Sequence, residues 1–319
     1  MAATPPIKLS NVDAALLPRI LTGPIFEKSV EQSAVMQLSK RIPLAIDTTT
    51  SIPVPLDVPT ADWVGEAQRK PISSGAVAIK TMTAKKIAVL IPVSEEVAKT
   101  NAGGLWTQLQ NDLPTAFARA FDFATIHGKT MRGATGPFAD YLTKTSQSVT
   151  LGTATKANGG LWADFVTGMK TITNNDYDLT GFVADYRLKP DLMLSTDLNG
   201  RPFFADTTTS PVTDRALSGS LLAQPLAYSR SVSGKQRRQS TSTDTGLRAV
   251  GGDWSQTAYG VGMDITVRIS NEATYIDEEG AVHSAFQENL VLLLAEAYYG
   301  YVQGDDDAFV KYVGTPSGS

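Results

Sequence analysis

Residues 109–128, LQNDLPTAFARAFDFATIHG, carry the strongest helical pattern in the chain. Counting from Leu105 just upstream, a large apolar residue recurs at every fourth position as far as Phe121, and alanines flank this series. The spacing places the apolar side chains on one face of a helix that we expect to run from about 105 to 128. Pro114 lies inside the pattern, so we also expect a kink or a broken first half.

Upstream of this helix, two short segments alternate as β-strands do. In residues 76–83 three β-branched side chains share one face, and in residues 86–93 the odd-numbered positions are all apolar. We predict that a turn at 83–85 joins the two segments into a two-stranded ribbon. Because an isolated hairpin is marginally stable in water, such a ribbon requires a partner surface.

The segment 63–74, WVGEAQRKPISS, follows neither the helical nor the strand pattern. It places a tryptophan among charged residues in what is otherwise a long excursion. Two interpretations are open at this point. Trp63 packs in the core of its own subunit with solvated charges nearby, or it is covered by another molecule.

The first 50 residues have the composition of an extended arm. Prolines interrupt any long helix there, at Pro5, Pro6, Pro18 and Pro24. One helix is predicted, at 26–41, with an apolar stripe too narrow to fold alone. We therefore expect the arm to lie on another surface.

Downstream of the long helix, short helices and strands alternate, and the last third is rich in strands. We predict helices at 161–172 and 190–198 and strands at 181–184, 257–270, 281–303 and 308–313. Residues 206–239 are polar and show little periodicity. The turn IDEEG at 276–280 suits a hairpin connection between the two long strands.

Composition limits the classes of function. The chain has 319 residues, 42% of them hydrophobic, with 28 basic and 32 acidic residues and a net charge of −4. That balance argues against a protein that coats nucleic acid by neutralising phosphates. There is no cysteine, which excludes disulfides and thiolate chemistry. We find no signal peptide and no apolar run near the ~20 residues of a membrane span, and we expect a soluble intracellular protein.

The sequence offers little catalytic or ligand-binding chemistry. His127 and His283 have no second metal ligand at a recognisable spacing, so we predict an ordinary helix-end histidine and a surface histidine. The carboxylates at 305–307 point apart along an extended chain and predict a solvated acidic loop. The basic run at 235–238 lacks interleaved aromatics. We predict no enzyme active site, no cofactor and no metal site, and a function that lies in the protein surface.

Five segments, in this order along residues 50–313, together resemble the major capsid proteins of tailed bacteriophages with the Hong Kong 97-type fold. The segments are WVGEAQRKP with KKIAVLIPVSEEV, the helix LQNDLPTAFARAFDFATIHG, LMLSTDLNGRPFF, VGGDWSQTAYGVGMDITVRISNEA and QENLVLLLAEAYYGYVQGDDDAFVKYV. The resemblance implies an α+β fold. Its parts are an N-terminal arm, an extended β-hairpin (E-loop), a P-domain with a long spine helix and long β-strands, and a mixed α/β A-domain.

The resemblance implies a division of the chain and a function. The arm would be 1–50, the E-loop 51–93, the P-domain 94–145 and 255–303, the A-domain 146–254, and the final A-domain strand and tail 304–319. The function implied is that of a structural major capsid protein, not an enzyme. It would assemble as pentamers and hexamers into the icosahedral shell that encloses the double-stranded DNA of the virion.

Contact residues between subunits are implied in two loops. In the E-loop they are Trp63, Glu66, Arg69, Lys70 and Lys80. In the P-domain loop (P-loop), which meets its copies around three-fold axes, they are Asp277, Glu278 and Glu279.

Some family members join an E-loop lysine covalently to an asparagine with the help of a glutamate. The corresponding residues here would be Lys80, Asn289 and Glu296. The E-loop position falls on Ile79, however, and Lys80 is one residue away. Because a shift of one residue turns a strand side chain to the opposite face, this geometry argues against the covalent bond.

The resemblance also implies partners and a location. The chain begins almost at the arm, so we expect scaffolding to be a separate protein, together with a portal and possible decoration proteins. DNA would be enclosed without sequence-specific binding, no membrane would be involved, and assembly would take place in the bacterial host cytoplasm. One alternative is an encapsulin, a nanocompartment shell of the same fold with enzyme cargo. Another is an enzyme with an unrecognised site.

Overall fold

The fold is given by a computed structural model of the chain. It describes residues 33–46, 49–55, 61–66, 68–70, 72, 77–100, 105–196, 217–235, 243–277 and 280–314. The predicted arm up to residue 32, most of the basic run at 235–238 and the P-loop residues Glu278 and Glu279 lie outside the described residues.

The described residues form five α-helices and fourteen β-strands. The helices are α1 (Ala34–Leu38), α2 (Glu95–Thr100), α3 (Leu105–His127), α4 (Gly160–Asn174) and α5 (Leu188–Leu194). The first nine strands are β1 (Lys40–Pro43), β2 (Thr50–Pro55), β3 (Val77–Met82), β4 (Lys85–Ser94), β5 (Ser148–Thr150), β6 (Gly181–Ala184), β7 (Leu217–Leu221), β8 (Gln224–Tyr228) and β9 (Leu247–Gly252). The last five are β10 (Thr257–Ser270), β11 (Thr274–Ile276), β12 (Val282–Ser284), β13 (Leu290–Gln303) and β14 (Phe309–Val313).

The long helix α3 packs its apolar face on a four-stranded sheet of order β1-β10-β13-β4. Phe121, fully buried, meets Tyr259 of β10 and Tyr299 of β13 edge to face, at ring-centroid distances of 6.4 and 5.8 Å. Pro114 lies within the helix, which continues through it, so of the two predicted alternatives the broken first half was wrong. Leu113 and Phe117 are buried on either side of the proline, and their packing holds this part of the helix.

A second sheet has six strands in the order β5-β14-β9-β6-β8-β7 and mixes parallel with antiparallel pairs. Helix α4 covers one face. Its Phe165 contacts Phe182 of β6 and Tyr312 of β14, at centroid distances of 5.9 and 4.7 Å. Gly168 on the same helix leaves room for the Tyr312 hydroxyl, which a Cβ at that position would overlap. The predicted helix at 161–172 and the strands at 181–184 and 308–313 are confirmed.

Strands β2 and β3 form an extended antiparallel hairpin, in register from Thr50 opposite Met82 to Pro55 opposite Val77. The predicted pairing of 76–83 with 86–93 was therefore wrong. Strand β4 instead pairs with β13, ten residues in register. The reason is that the odd-numbered side chains of β4 pack on the core under α3, where β13 supplies a long free edge. The E-loop hairpin is thus β2–β3, and β4 belongs to the four-stranded sheet.

The two long strands β10 and β13 pair with each other as predicted, from Thr257 opposite Gln303 to Ser270 opposite Leu292. They are not joined directly by the turn at 276–280. That turn closes a separate small hairpin, β11–β12, which stands between them and pairs Ile276 with Val282.

Three further predictions differ from the structure. The helix predicted at 26–41 ends at Leu38, because Ser39 is extended (φ −85°, ψ 152°) and the chain continues as β1, parallel to β10. Residues 206–239, predicted to lack regular structure, contain β7 and β8. Their sequences, LSGSL and QPLAY, carry glycine, serine and proline that mask the alternation. The second helix, predicted at 190–198, spans Leu188–Leu194.

Candidate inter-subunit surfaces

The far end of the E-loop is a solvent-exposed mixture of apolar and charged side chains. Trp63 is fully exposed, and Ile72 is 89% exposed. They line a shallow cleft of about 450 Å³ together with Asp62, Val64, Gln68, Arg69 and Lys70. The interpretation of Trp63 as a residue of its own core is therefore wrong. A partner that covered this indole would gain on the order of 3 kcal/mol from apolar burial alone.

The charged side chains of the same segment are also turned to solvent. Glu66, Arg69 and Lys70 are all exposed. None of the three forms an ion pair with another of the described residues. The geometry leaves their charges available to a second molecule.

The root of the E-loop is tied to its own subunit. On β3, Lys80 Nζ lies 3.4 Å from Asp140 Oδ2. The same carboxylate accepts a 3.1 Å hydrogen bond from Lys144, whose Nζ is also 3.4 Å from Asp306. The hydrogen bond that Lys144 donates to Asp140 is the largest cause that raises the pKa of Lys144. Lys80 thus lies at one end of an ion-pair network that ends in the predicted acidic loop.

The other two residues of the implied cross-link also have partners within the subunit. Glu296 on β13 forms an ion pair with Lys86 on β4, and the hydrogen bond between them raises the pKa of Lys86. Asn289 lies in the turn before β13 at φ +52°, and its carbonyl accepts from Glu95 N at 2.9 Å. Lys80 and Glu296 are therefore both engaged by opposite charges of their own chain.

The β11–β12 hairpin is the second exposed projection. Its cross-strand pair Ile276 and Val282 is 69% and 72% exposed. His283 lies between two carboxylates, 2.8 Å from Glu288 Oε1 and 3.0 Å from Asp277 Oδ2. The hydrogen bonds to these two carboxylates, first that to Glu288, raise the pKa of His283. The hairpin is small and apolar at its surface, so it lacks the burial that would stabilise it alone.

Both histidines have polar partners within the subunit. His127 ends α3 as predicted, where its Nε2 lies 2.9 Å from the carbonyl oxygen of Ser231, and burial lowers its pKa. Across the described ranges, no group of three or more histidine, aspartate or glutamate side chains could hold a metal ion. In the same ranges, no helix has the length and apolar character needed to cross a membrane.

The sequence analysis did not identify one buried aspartate that joins separate segments of the chain by hydrogen bonds. Asp122 on α3 is buried in the run from Phe121 to Ile126 and accepts hydrogen bonds from Ser33 and Ser229. Burial is the main cause that raises its pKa to about 6. The sequence signal for this residue was a carboxylate among mostly apolar residues of the helix, because a buried carboxylate requires hydrogen-bond partners.

Comparison with known proteins identifies the family of this chain. A model of the phage capsid family matches residues 13–314. The chain belongs to the phage capsid family. Members of this family similar to it include a probable major capsid protein, gp17, of Mycobacterium phage D29. That protein is 28% identical over 297 residues, covering 92% of this chain and 88% of the relative.

A second relative is the major capsid protein of Staphylococcus phage 80alpha, 27% identical over 298 residues, which cover 92% of this chain and 83% of the relative. Among solved structures, a chain from Gordonia phage Cozz superimposes with a TM-score of 0.70 at 28% identity, covering 99% of this chain and 98% of that one. A chain from Mycobacterium phage Ogopogo gives 0.69 at 20% identity, with 89% and 92% covered.

The predicted fold and function are confirmed by this membership. The chain is a tailed-phage major capsid protein with the α+β capsid fold. An encapsulin is not supported, because the curated relatives are phage major capsid proteins. These relatives are structural proteins, which favours a structural role over an enzymatic one.

Proposed function

We propose that this phage capsid protein forms the hexamers and pentamers of a closed icosahedral shell, and that its E-loop carries the main contact between neighbouring subunits. The observation that supports this most directly is the position of Trp63, fully exposed at the far end of an extended β-hairpin. Exposed apolar side chains that are grouped and rimmed by polar residues, as Trp63, Val64 and Ile72 are here, are typical of sites that another protein covers. The proposed contacts are Trp63, Glu66, Arg69 and Lys70.

The shape of the chain suits heterologous contacts. A shell subunit must bind different neighbours on different faces, and such contacts close into rings around symmetry axes. Among the described residues, no further strand pairs with the outer edges of the two-stranded β2–β3 hairpin, and a neighbouring strand can extend such an edge by β-augmentation. The β11–β12 hairpin is the proposed second contact, and the sequence between its two strands contains the proposed contact residues Asp277, Glu278 and Glu279. The division of the chain into arm, E-loop, P-domain and A-domain is part of the same proposal.

We infer the remaining partners from the same resemblance. They are a separate scaffolding protein, a portal, possible decoration proteins, and the double-stranded DNA of the virion. The net charge of −4 argues against assembly around DNA by bulk neutralisation of its phosphates, which fits a shell that encloses the DNA without reading its sequence. Assembly would take place in the cytoplasm of the bacterial host.

Electron microscopy of the full chain, expressed in bacteria with and without candidate scaffolding proteins, tests the proposal. We expect closed shells of uniform diameter under at least one of these conditions. A chain that stays monomeric and folded with every scaffold candidate of its phage supplied would contradict it.

A further inference from the structure

A cluster of charge lies away from both projections, where strands β6 and β8 end side by side. The two strands are parallel, with Ala184 opposite Tyr228, and Ser229 N donates to the Ala184 carbonyl at 2.9 Å. Tyr186 follows β6 and Tyr228 ends β8, and their rings stack at 5.5 Å and 27°. In open sheets, the carboxyl ends of neighbouring parallel strands are a common place for ligands.

Two cationic side chains lie over this tyrosine pair, and a third, Arg119, is close enough for its charge to interact with that of Arg230. The guanidinium carbon of Arg230 is 5.7 Å from the ring centroid of Tyr186, and Lys189 Nζ is 6.0 Å from that of Tyr228. Arg119 lies on α3, and its backbone carbonyl accepts a 3.1 Å hydrogen bond from Ser231 Oγ. We call the cluster the arginine–tyrosine patch; it consists of Arg119, Tyr186, Lys189, Tyr228 and Arg230.

The two arginines of the patch carry charge that the described part of the chain does not neutralise. Burial lowers the pKa of Arg119, and the nearby charge of Arg230 lowers it further, while Tyr186 and Asp112 offset this only in part. Neither arginine forms an ion pair with a described carboxylate. By contrast Arg187, beside the patch in sequence, pairs with Asp244. Two neighbouring cations that form no ion pair with a described carboxylate favour the binding of an anion.

We propose that the arginine–tyrosine patch binds backbone phosphates of duplex DNA. This proposal rests on the proposed function, since the enclosed genome is the ligand. Guanidinium groups match phosphate oxygens with two parallel hydrogen bonds, and the stacked tyrosines fix the position of one guanidinium. The patch is repeated in every subunit, and a duplex presents phosphates continuously, so one ligand can meet many copies. A partner protein would need a matched set of carboxylates at each copy.

The test is fluorescence anisotropy of a short labelled duplex of random sequence, titrated with the purified, unassembled full chain over a range of salt concentrations. We expect Arg119→Gln combined with Arg230→Gln to weaken binding by roughly tenfold at low salt. We also expect the slope of log affinity against log salt to fall by about 2, as for two lost phosphate contacts. The matched control is Lys156→Gln with Lys170→Gln, which removes the same charge from exposed sites. It should stay within about twofold of wild type.

Three results would overturn the proposal: equal loss in both double variants, no binding by the wild-type chain, or competition by poly-glutamate as strong as by unlabelled DNA. The last would point to an acidic protein segment as the partner.

Electron microscopy separates this proposal from the proposed function. Shells formed by the Arg119→Gln, Arg230→Gln variant leave the shell role intact whatever its DNA affinity. A wild-type chain that binds DNA but forms no shell contradicts the shell role alone.

Discussion

Asp122 Oδ1 accepts a 2.6 Å hydrogen bond from Ser33 Oγ, which joins the start of the described chain to the middle of the spine helix. The other carboxylate oxygen accepts from Ser229 at the end of β8 at 2.7 Å. Backbone N–H groups of Ala34 and Val35 also donate to this carboxylate, at 3.2 and 3.3 Å. One buried side chain therefore fixes three separate parts of the subunit, including the point at which the predicted arm leaves it.

The first prediction concerns the stability of this anchor. Asp122→Ala should leave four buried donors without an acceptor and lower the free energy of unfolding by on the order of 3 kcal/mol. We expect a fall of roughly 6 °C or more in the midpoint of thermal unfolding of the unassembled subunit. Asp112→Ala, which changes an exposed aspartate on the same helix, is the control and should alter the midpoint little. Equal midpoints for the two variants would contradict the anchor.

The second prediction concerns pH. The pKa of Asp122 is about 6 in the folded protein, against the ordinary aspartate value of 3.8 that applies to an unfolded chain. Because the folded value is the higher one, folding favours the protonated form. Its stabilising effect is full below about pH 4 and is lost as pH rises through 6. A shift of about two units corresponds to on the order of 3 kcal/mol.

The comparison that isolates this effect is wild type against Asp122→Asn, which cannot titrate. We expect the thermal midpoint of wild type, relative to the variant, to rise as pH is lowered from 7 to about 4.5. The other carboxylates are protonated equally in both proteins, so their effects on the two thermal midpoints cancel in this comparison. A difference that stays constant over this range would show that Asp122 does not titrate there.

The structure also shows why sequence patterns predicted some parts of this fold and not others. The period of α3 is local, since residues four apart share a face, and the helix was found within a residue or two. The alternation in β4 predicted its buried face but not its partner. Strands that follow each other in sequence usually pair, which favoured β3 as the partner of β4. The observed partner of β4 is β13, about 200 residues downstream.

The same difference between local sequence patterns and long-range contacts applies to the candidate contact sites. The segment of Trp63 fitted no regular pattern, which left burial in its own core and cover by another molecule both open, and only the structure shows that the side chain is exposed. The partners of Lys80 and Asp122 did not follow from sequence. Asp140 and Ser229 reach them only after the chain has folded, across separations of 60 and 107 residues.

The third prediction concerns covalent joining of subunits. Lys80 and Glu296 each hold an ion pair inside their own subunit, and Lys80 is one residue from the expected position. We therefore expect assembled particles to give a single monomer band on a denaturing gel. A ladder of higher bands that disappears in Lys80→Gln would show that the bond forms in spite of this geometry.

The fourth prediction concerns the charges of the E-loop. Arg69→Glu combined with Lys70→Glu should give a folded subunit with an unchanged thermal midpoint, because both side chains are exposed. Shell yield should fall by roughly tenfold, since like charges brought together at an interface cost several kcal/mol. Lys156→Glu with Lys170→Glu is the matched control for the change in net charge. Normal shell yield from the E-loop variant would exclude these two residues from the contact.

The central claim is that a neighbouring subunit covers the indole of Trp63. A cryo-electron microscopy reconstruction of the assembled shell, at a resolution that shows side chains, tests it most directly. We expect the Trp63 side chain of each E-loop to lie against apolar surface of an adjacent subunit, with little of it exposed. A shell in which Trp63 remains in solvent at every symmetry-independent position would contradict the claim.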